Sequence, residues 1–194
     1  GIQEARGSYI LFFDADDTVD PGALACCQEI LAAQRPDMLI FGMSFDYYFH
    51  GKLYRRDALV PGLSGLLSRG EWAGQMQELY NSNALSPVWN KLIRRELLES
   101  NQILFPGGMI EMEDFLFSLR SMKYCDHIYF LPSAIYRYRQ PEDECNTFRR
   151  LCRIGIFRSF GSFAANGEFA CRIKLVFEFY TVRMFHRIDE YRHY

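Results

Sequence analysis

Apolar and polar positions follow two rhythms along this chain. Residues 8–13, SYILFF, form a short unbroken apolar run, the pattern of a strand buried in a parallel or mixed sheet. Before it, GIQEARG (1–7) reads as the tail of a helix with Gly7 as its C-terminal stop. After it, Pro21 falls in the first turn of a predicted helix with Asp20 as N-cap. That helix runs through LACCQEILAAQ and ends before Pro36. Residues 37–49, DMLIFGMSFDYYF, predict a strand pair or one strand with a bulge at Gly42. His50-Gly51 makes a turn, and KLYRRDALV returns as a strand.

The period then lengthens. Residues 62–82 predict helix with a break at Gly70, and SPVWNKLIRRELLES predicts a turn and a short amphipathic helix. ILFPGG (103–108) reads as a strand and a loop. Residues 113–124 place Phe115, Leu116, Leu119 and Met122 on one helical face, and HIYFLPSAIYRY (127–138) is strand-like. Past Pro141 a polar, acidic link leads to two predicted helices, 147–165 and 168–192. The implied division is an α/β domain over 1–140 and a helical extension over 141–194.

Composition narrows this picture only slightly. The 194 residues are 49% hydrophobic, enough for one real core, and the net charge of −2 gives no basic field to draw nucleic acid. Cysteines at 26, 27, 125, 145, 152 and 171 show no two-residue gap of a zinc or redox motif. Reduced structural thiols in a cytosolic protein are expected. The four histidines are scattered. No charged-then-apolar leader and no apolar run of 18 residues is present, so neither a signal peptide nor a membrane-spanning helix is predicted.

The chemistry concentrates in DADDT, directly after the first apolar run. In open α/β sheets ligands bind at that end of a strand. Asp14, Asp16 and Asp17 admit three readings. An acidic turn capping the next helix needs only one carboxylate. An aspartyl-phosphate phosphatase of the haloacid dehalogenase type would use Asp14 as nucleophile and Asp16 as acid/base. The late Gly-Asp-x-x-x-Asp motif of that family is absent here. A divalent cation bridging to a nucleotide diphosphate suits clustered hard carboxylates, which otherwise repel.

GIQEARGSYILFFDADDTVDP resembles the central stretch of family 2 glycosyltransferases with the GT-A fold. WNKLIRRELLESNQILFP (89–106), EDFLFSLR (113–120) and Tyr136-Arg137-Tyr138-Arg139 resemble three later segments of that family, in the family's order. The resemblance implies a GT-A-like mixed sheet with flanking helices, incomplete at its N-terminus and followed by C-terminal helices. The family's leading strands, which bind the nucleotide base and ribose, are absent from this sequence. An exposed sheet edge and a homodimer covering it are therefore expected; a non-catalytic remnant is the rival outcome.

By resemblance, Asp16 ligates Mg2+ or Mn2+, Asp14 lies in the metal shell or near the ribose, and Asp17 is secondary. Asp114, beside Glu113, is the base that deprotonates the acceptor in an inverting transfer from a UDP- or GDP-sugar to a glycan or lipid-linked acceptor. The plain alternative for Glu113-Asp114 is a charged helix start, with Glu111 a third acid nearby. Trp89, Asn90 and Lys91 are placed at the acceptor, Trp89 being equally readable as a core anchor. Arg137 or Arg139 reaches the diphosphate, or either forms a surface ion pair. Segment 168–192, rich in aromatics and arginine, rests on a membrane surface or packs on the catalytic domain.

Overall fold

The computed structural model describes residues 1–107 and 112–140. These lie in the first of two compact units, Gly1–Glu142. The two C-terminal helices expected from sequence, and Glu111, lie outside the described residues.

One mixed sheet organises the domain. Its strands are β1 (Tyr9–Leu11), β2 (Thr18–Val19), β3 (Met38–Phe49), β4 (Lys52–Leu59), β5 (Gly65–Ser68), β6 (Lys91–Arg94) and β7 (His127–Gln140). The main order is β1-β6-β3-β7-β2, with β4 added to β3 and β5 to β7. Only β3 and β7 pair in parallel; the other described pairings are antiparallel. β3 is the centre. Met38–Met43 is buried on both faces, as the unbroken apolar run requires. Asp37 aligns it with β7 by accepting hydrogen bonds from the Asp126 and His127 amides at 2.8 and 2.9 Å.

The β3–β4 hairpin turns at His50 and Gly51, both with positive φ (47° and 71°). That is the two-residue geometry matching strand twist, and glycine adopts it without strain. The bulge expected at Gly42 is present, and its register is informative. Phe41 pairs with Leu131, Gly42 with Ala134, and Met43 with Tyr136. β7 therefore carries three extra residues across two positions of β3, around Pro132. An odd shift reverses which β7 side chains face a given side. It puts Tyr136 and Tyr138 on the face already occupied by Tyr129 and Leu131, against the core of Leu39, Phe41, Met43 and Trp89. Helix α1 (Ala23–Gln34) covers this face through Ala23 and Cys27.

Several expectations are corrected. Residues 1–7 hold only a short 3-10 turn, Ile2–Glu4, which ends at extended Ala5 rather than at Gly7. Asp20 does not cap α1: the N-cap is Gly22, and the Asp20 carboxylate instead meets Arg137. Residues 62–82 are not one broken helix. They form β5 and two short helices, α2 (Arg69–Ala73) and α3 (Met76–Asn81), because pairing with β7 captures Gly65–Ser68. β6 was hidden ahead of α4 (Arg95–Ser100), and residues 103–106 are irregular. Among the described residues no helix is long and apolar enough to cross a membrane.

Helix α5 (Glu113–Met122) forms where its pattern places it, but with a different inner face. Phe117, Ser118, Ser121 and Met122 are buried, not Phe115, Leu116 and Leu119. The serines disguise the face. Ser121 bonds to the Phe117 carbonyl at 2.9 Å and Ser118 to the Ser86 carbonyl at 3.4 Å, so both hydroxyls are satisfied inside. Extended one turn back, the same i, i+3, i+4 stripe begins at Asp114. The candidate base is thus on the inward side of its helix.

Candidate functional site

The acidic turn hangs from the end of β1. Asp14, Ala15 and Asp16 are exposed, whereas Asp17 is only 6% exposed. The Asp17 amide closes the turn on the Asp14 carbonyl at 3.2 Å. Its carboxylate leaves the turn altogether. Oδ2 accepts from the Tyr136 hydroxyl at 2.7 Å and Oδ1 from the Arg139 amide at 2.8 Å. Asp17, expected at the cofactor, is therefore buried and engaged with β7.

Aromatic packing brings this turn to α5. Phe12, two residues ahead of Asp14, packs edge-on against Phe105 and Phe117, with centroids 5.2 and 5.4 Å away. Phe105 and Phe117 stack on each other at 4.1 Å. Phe117 is one turn beyond Asp114, so the cluster docks the strand end against the start of the helix that carries Asp114. Burial raises the Asp114 carboxyl above its usual value, and the charges of Glu113 and Asp14 push the same way. The Val88 amide donates to the carboxylate and opposes the shift, as does the Lys91 charge. Asp14 is raised as well, by burial first and then by Asp17 and Asp16. Burial and neighbouring carboxylates thus raise both Asp14 and Asp114, a shift that a nearby cation would reverse.

Trp89, Asn90 and Lys91, expected at the acceptor, lie inside the fold. Trp89 is 9% exposed and stacks on Tyr136 and Tyr138, with centroids 4.5 and 5.5 Å apart. Asn90 and Lys91 are completely buried. The Lys91 ammonium donates to the Pro87 carbonyl and, at 2.8 Å, to Asn90 Oδ1. Burial holds its pKa well below the usual lysine range, with the Asp114 charge opposing. These three side chains support the site from behind; they offer no surface to a sugar. Glu113 Oε2 and Asn90 Nδ2 are buried without a hydrogen-bond partner among the described residues.

The two arginines share the face of β7 opposite Tyr136 and Tyr138, as alternation on a strand requires, but take different partners. Arg137 pairs with Asp20. The Arg139 guanidinium lies 4.7 Å from the centre of the Tyr48 ring. Tyr136, Phe12, Phe105 and Phe117 were missed as site residues; Tyr136 lay within a quoted motif, but nothing local tied it to Asp17.

No group of three His, Cys, Asp or Glu side chains converges among the described residues. Asp14 and Asp16 nevertheless suit magnesium or manganese, which bind through one or two carboxylates and complete their shell with phosphate oxygens and water. A groove of about 850 Å³ lies elsewhere, between α1 and β6, lined by Leu24, Leu31, Leu92 and Arg94 among others. None of the acids of the site lines it.

Comparison with known proteins adds the following. The model of the family described as Glycosyl transferase family 2 matches residues 1–101. An uncharacterized glycosyltransferase of Bacillus subtilis, EpsJ, is 30% identical over 142 residues, 72% of this chain and 40% of that protein. A cholesterol galactosyltransferase of Borreliella burgdorferi is 25% identical over 142 residues, 70% of this chain and 38% of that protein. Among solved structures, S. aureus TarS 1–349 in complex with UDP-GlcNAc superposes with a TM-score of 0.54. Identity is 21%, with 73% of this chain and 37% of that chain covered. That likeness shows the fold, a mixed α/β sheet of the GT-A kind. The chain spans about two fifths of the length of the curated relatives it matches.

Proposed function

The chain belongs to glycosyl transferase family 2, and on that premise we propose that it carries the metal and acceptor-activating half of a sugar-transfer site. The donor is a nucleotide-diphosphate sugar and the acceptor a hydroxyl of a glycan or lipid-linked glycan. One observation carries the reading: the acidic turn after β1 and the helix start that carries Asp114 come from distant parts of the chain, yet the packed rings of Phe12, Phe105 and Phe117 bring them together, and the Asp14 charge helps to raise the Asp114 carboxyl. A donor-phosphate site and a base for the acceptor need that adjacency.

In this reading Asp16 and Asp14 hold Mg2+ or Mn2+, which supplies positive charge against the diphosphate. Asp114 accepts the proton of the acceptor hydroxyl. The hydroxyl oxygen bonds to the anomeric carbon as the bond from that carbon to the diphosphate oxygen breaks. The electron pair leaves with the nucleotide diphosphate. One base suffices when the attack inverts the anomeric centre. The burial that raises the Asp114 carboxyl makes it a stronger base than a surface aspartate. Glu113 stands beside it at the helix start. UDP is favoured as the nucleotide because TarS has been crystallised with UDP-GlcNAc and with UDP.

Calorimetric titration of UDP and GDP, with and without Mn2+, tests the donor site. Metal-dependent binding by the wild type that is lost in Asp16→Ala is expected. Binding indifferent to metal, or unchanged in Asp16→Ala, overturns the assignment of the acids.

A further inference from the structure

The third acid of the DADD turn does a different job from its neighbours. A hydrogen-bond chain runs from the turn into β7. The Asp14 amide donates to the Tyr136 phenol oxygen at 3.3 Å, the Tyr136 hydroxyl donates to Asp17 Oδ2 at 2.7 Å, and Asp17 Oδ1 accepts from the Arg139 amide at 2.8 Å. The direction is forced. A carboxylate only accepts, so the phenol must give its proton to Asp17, leaving its lone pairs to the Asp14 N–H. Tyr136 cannot swing away: it is completely buried, with Trp89 stacked on it and Phe13 against its edge at 5.4 Å. Each bond in such a chain polarises the next, and the low-dielectric surroundings strengthen all three.

We propose that Tyr136 and Asp17 are positioning residues that fix the backbone of the metal-binding turn, so that Asp14 and Asp16 alone present their carboxylates to the cation. Both Asp17 oxygens are engaged by β7, and the Asp14 main chain, which aims the first ligand, is tied to the same phenol. The inference rests on the donor-site reading above and assigns this pair to the turn rather than to the cation. It also explains why Trp89 is buried behind the site. The indole holds the phenol ring, and the phenol holds the turn.

Tyr136→Phe removes one oxygen atom and keeps the ring stack, so it is the sharpest test. UDP is titrated by calorimetry with and without Mn2+ into the full chain, wild type and variant, and thermal melts are recorded beside them. The Mn2+ signal is followed by electron paramagnetic resonance. The expected result is at least a tenfold loss of Mn2+-dependent UDP affinity and an altered Mn2+ spectrum, with metal-free UDP affinity unchanged. Asp17→Asn, whose single carbonyl oxygen cannot serve both donors, moves the same way. A purely structural role would lower the melting temperature and leave the Mn2+ spectrum of the folded protein alone. Unchanged Mn2+-dependent affinity in Tyr136→Phe overturns the inference. Failure of the wild type itself to bind UDP through Mn2+ overturns the donor-site reading and this inference with it. The two failures are distinct, one appearing only in the variant and the other already in the wild type.

Discussion

Gly42→Ala probes how the centre of the sheet sets up the site. A Cβ at position 42 would lie 2.7 Å from Val60 Cγ1 and 2.9 Å from the carbonyl oxygens of both Leu59 and Ser133. Val60 is 43% exposed, so its methyl group can rotate aside at little cost. The two carbonyls cannot, because they belong to the β4 end and the β7 bulge that flank β3. Overpacking of this kind costs about 1–3 kcal/mol. Loosening a ladder hydrogen bond on each flank adds about 0.5–1.5 kcal/mol apiece. The lower chain entropy of unfolded alanine returns roughly 0.5–1 kcal/mol. The net expectation is a loss of about 3 kcal/mol, within a range of about 1–5 kcal/mol. A urea melt reads it as a lower midpoint at unchanged slope. The damage should also reach function, because Met43, the next residue, pairs with Tyr136. Mn2+-dependent UDP binding should weaken in protein that is still folded. A stability loss below about 0.5 kcal/mol would show that the bulge does not need glycine, and the reasoning about β7 phase would fail with it.

Two further outcomes follow from the charges of the domain. Asp114→Asn keeps the shape but removes the base, so sugar transfer in the presence of donor and acceptor should fall about 10²–10⁴-fold, with UDP affinity retained. In the wild type the rate should drop as pH falls through the raised Asp114 pKa; a variant with undiminished rate would remove Asp114 from the chemistry. Buried Asp46 accepts two bonds from Arg56, at 2.5 and 2.6 Å, and these hold its carboxyl below the usual value. A depressed carboxyl stabilises the fold above its unfolded pKa and loses that contribution as pH falls through the folded one. The midpoint gap between wild type and Arg56→Met in urea should therefore be widest near neutral pH and close below about pH 4. A gap independent of pH would mean the pair stabilises by packing alone.

Much of this domain was legible in order of sequence. The apolar run before DADD, the α1 pattern, the His50-Gly51 turn and the Gly42 bulge are local signals, each governed by residues within a few positions of each other. The acids could be recognised because clustered carboxylates at a strand end call for a cation wherever they occur. What the sequence could not separate was their roles. Asp14, Asp16 and Asp17 are chemically identical, and only the fold takes Asp17 away from its neighbours by offering it Tyr136 and Arg139, some 120 residues on. The same holds for Trp89, Asn90 and Lys91. Their composition suits a sugar contact as well as a core, and burial beneath α5 and β7 made the choice.

The inner face of α5 was misread because serine counts as polar until a carbonyl is found for its hydroxyl; Ser121 finds one a turn back at Phe117, but the one that takes Ser118, on Ser86, is remote in sequence. The facing of Tyr136 was beyond any periodicity argument. It depends on an odd three-residue slip between parallel strands almost a hundred residues apart, and register is a property of two chain segments rather than one. Local pattern marked the acidic cluster and most of the strands and helices, but not β5 and β6, which form because β7, β1 and β3 pair with them. Tertiary structure decided which acids stay exposed at the turn, which one is tied to β7, and which lysine is buried near Asp114, because long-range hydrogen bonds and burial, not local pattern, set those differences.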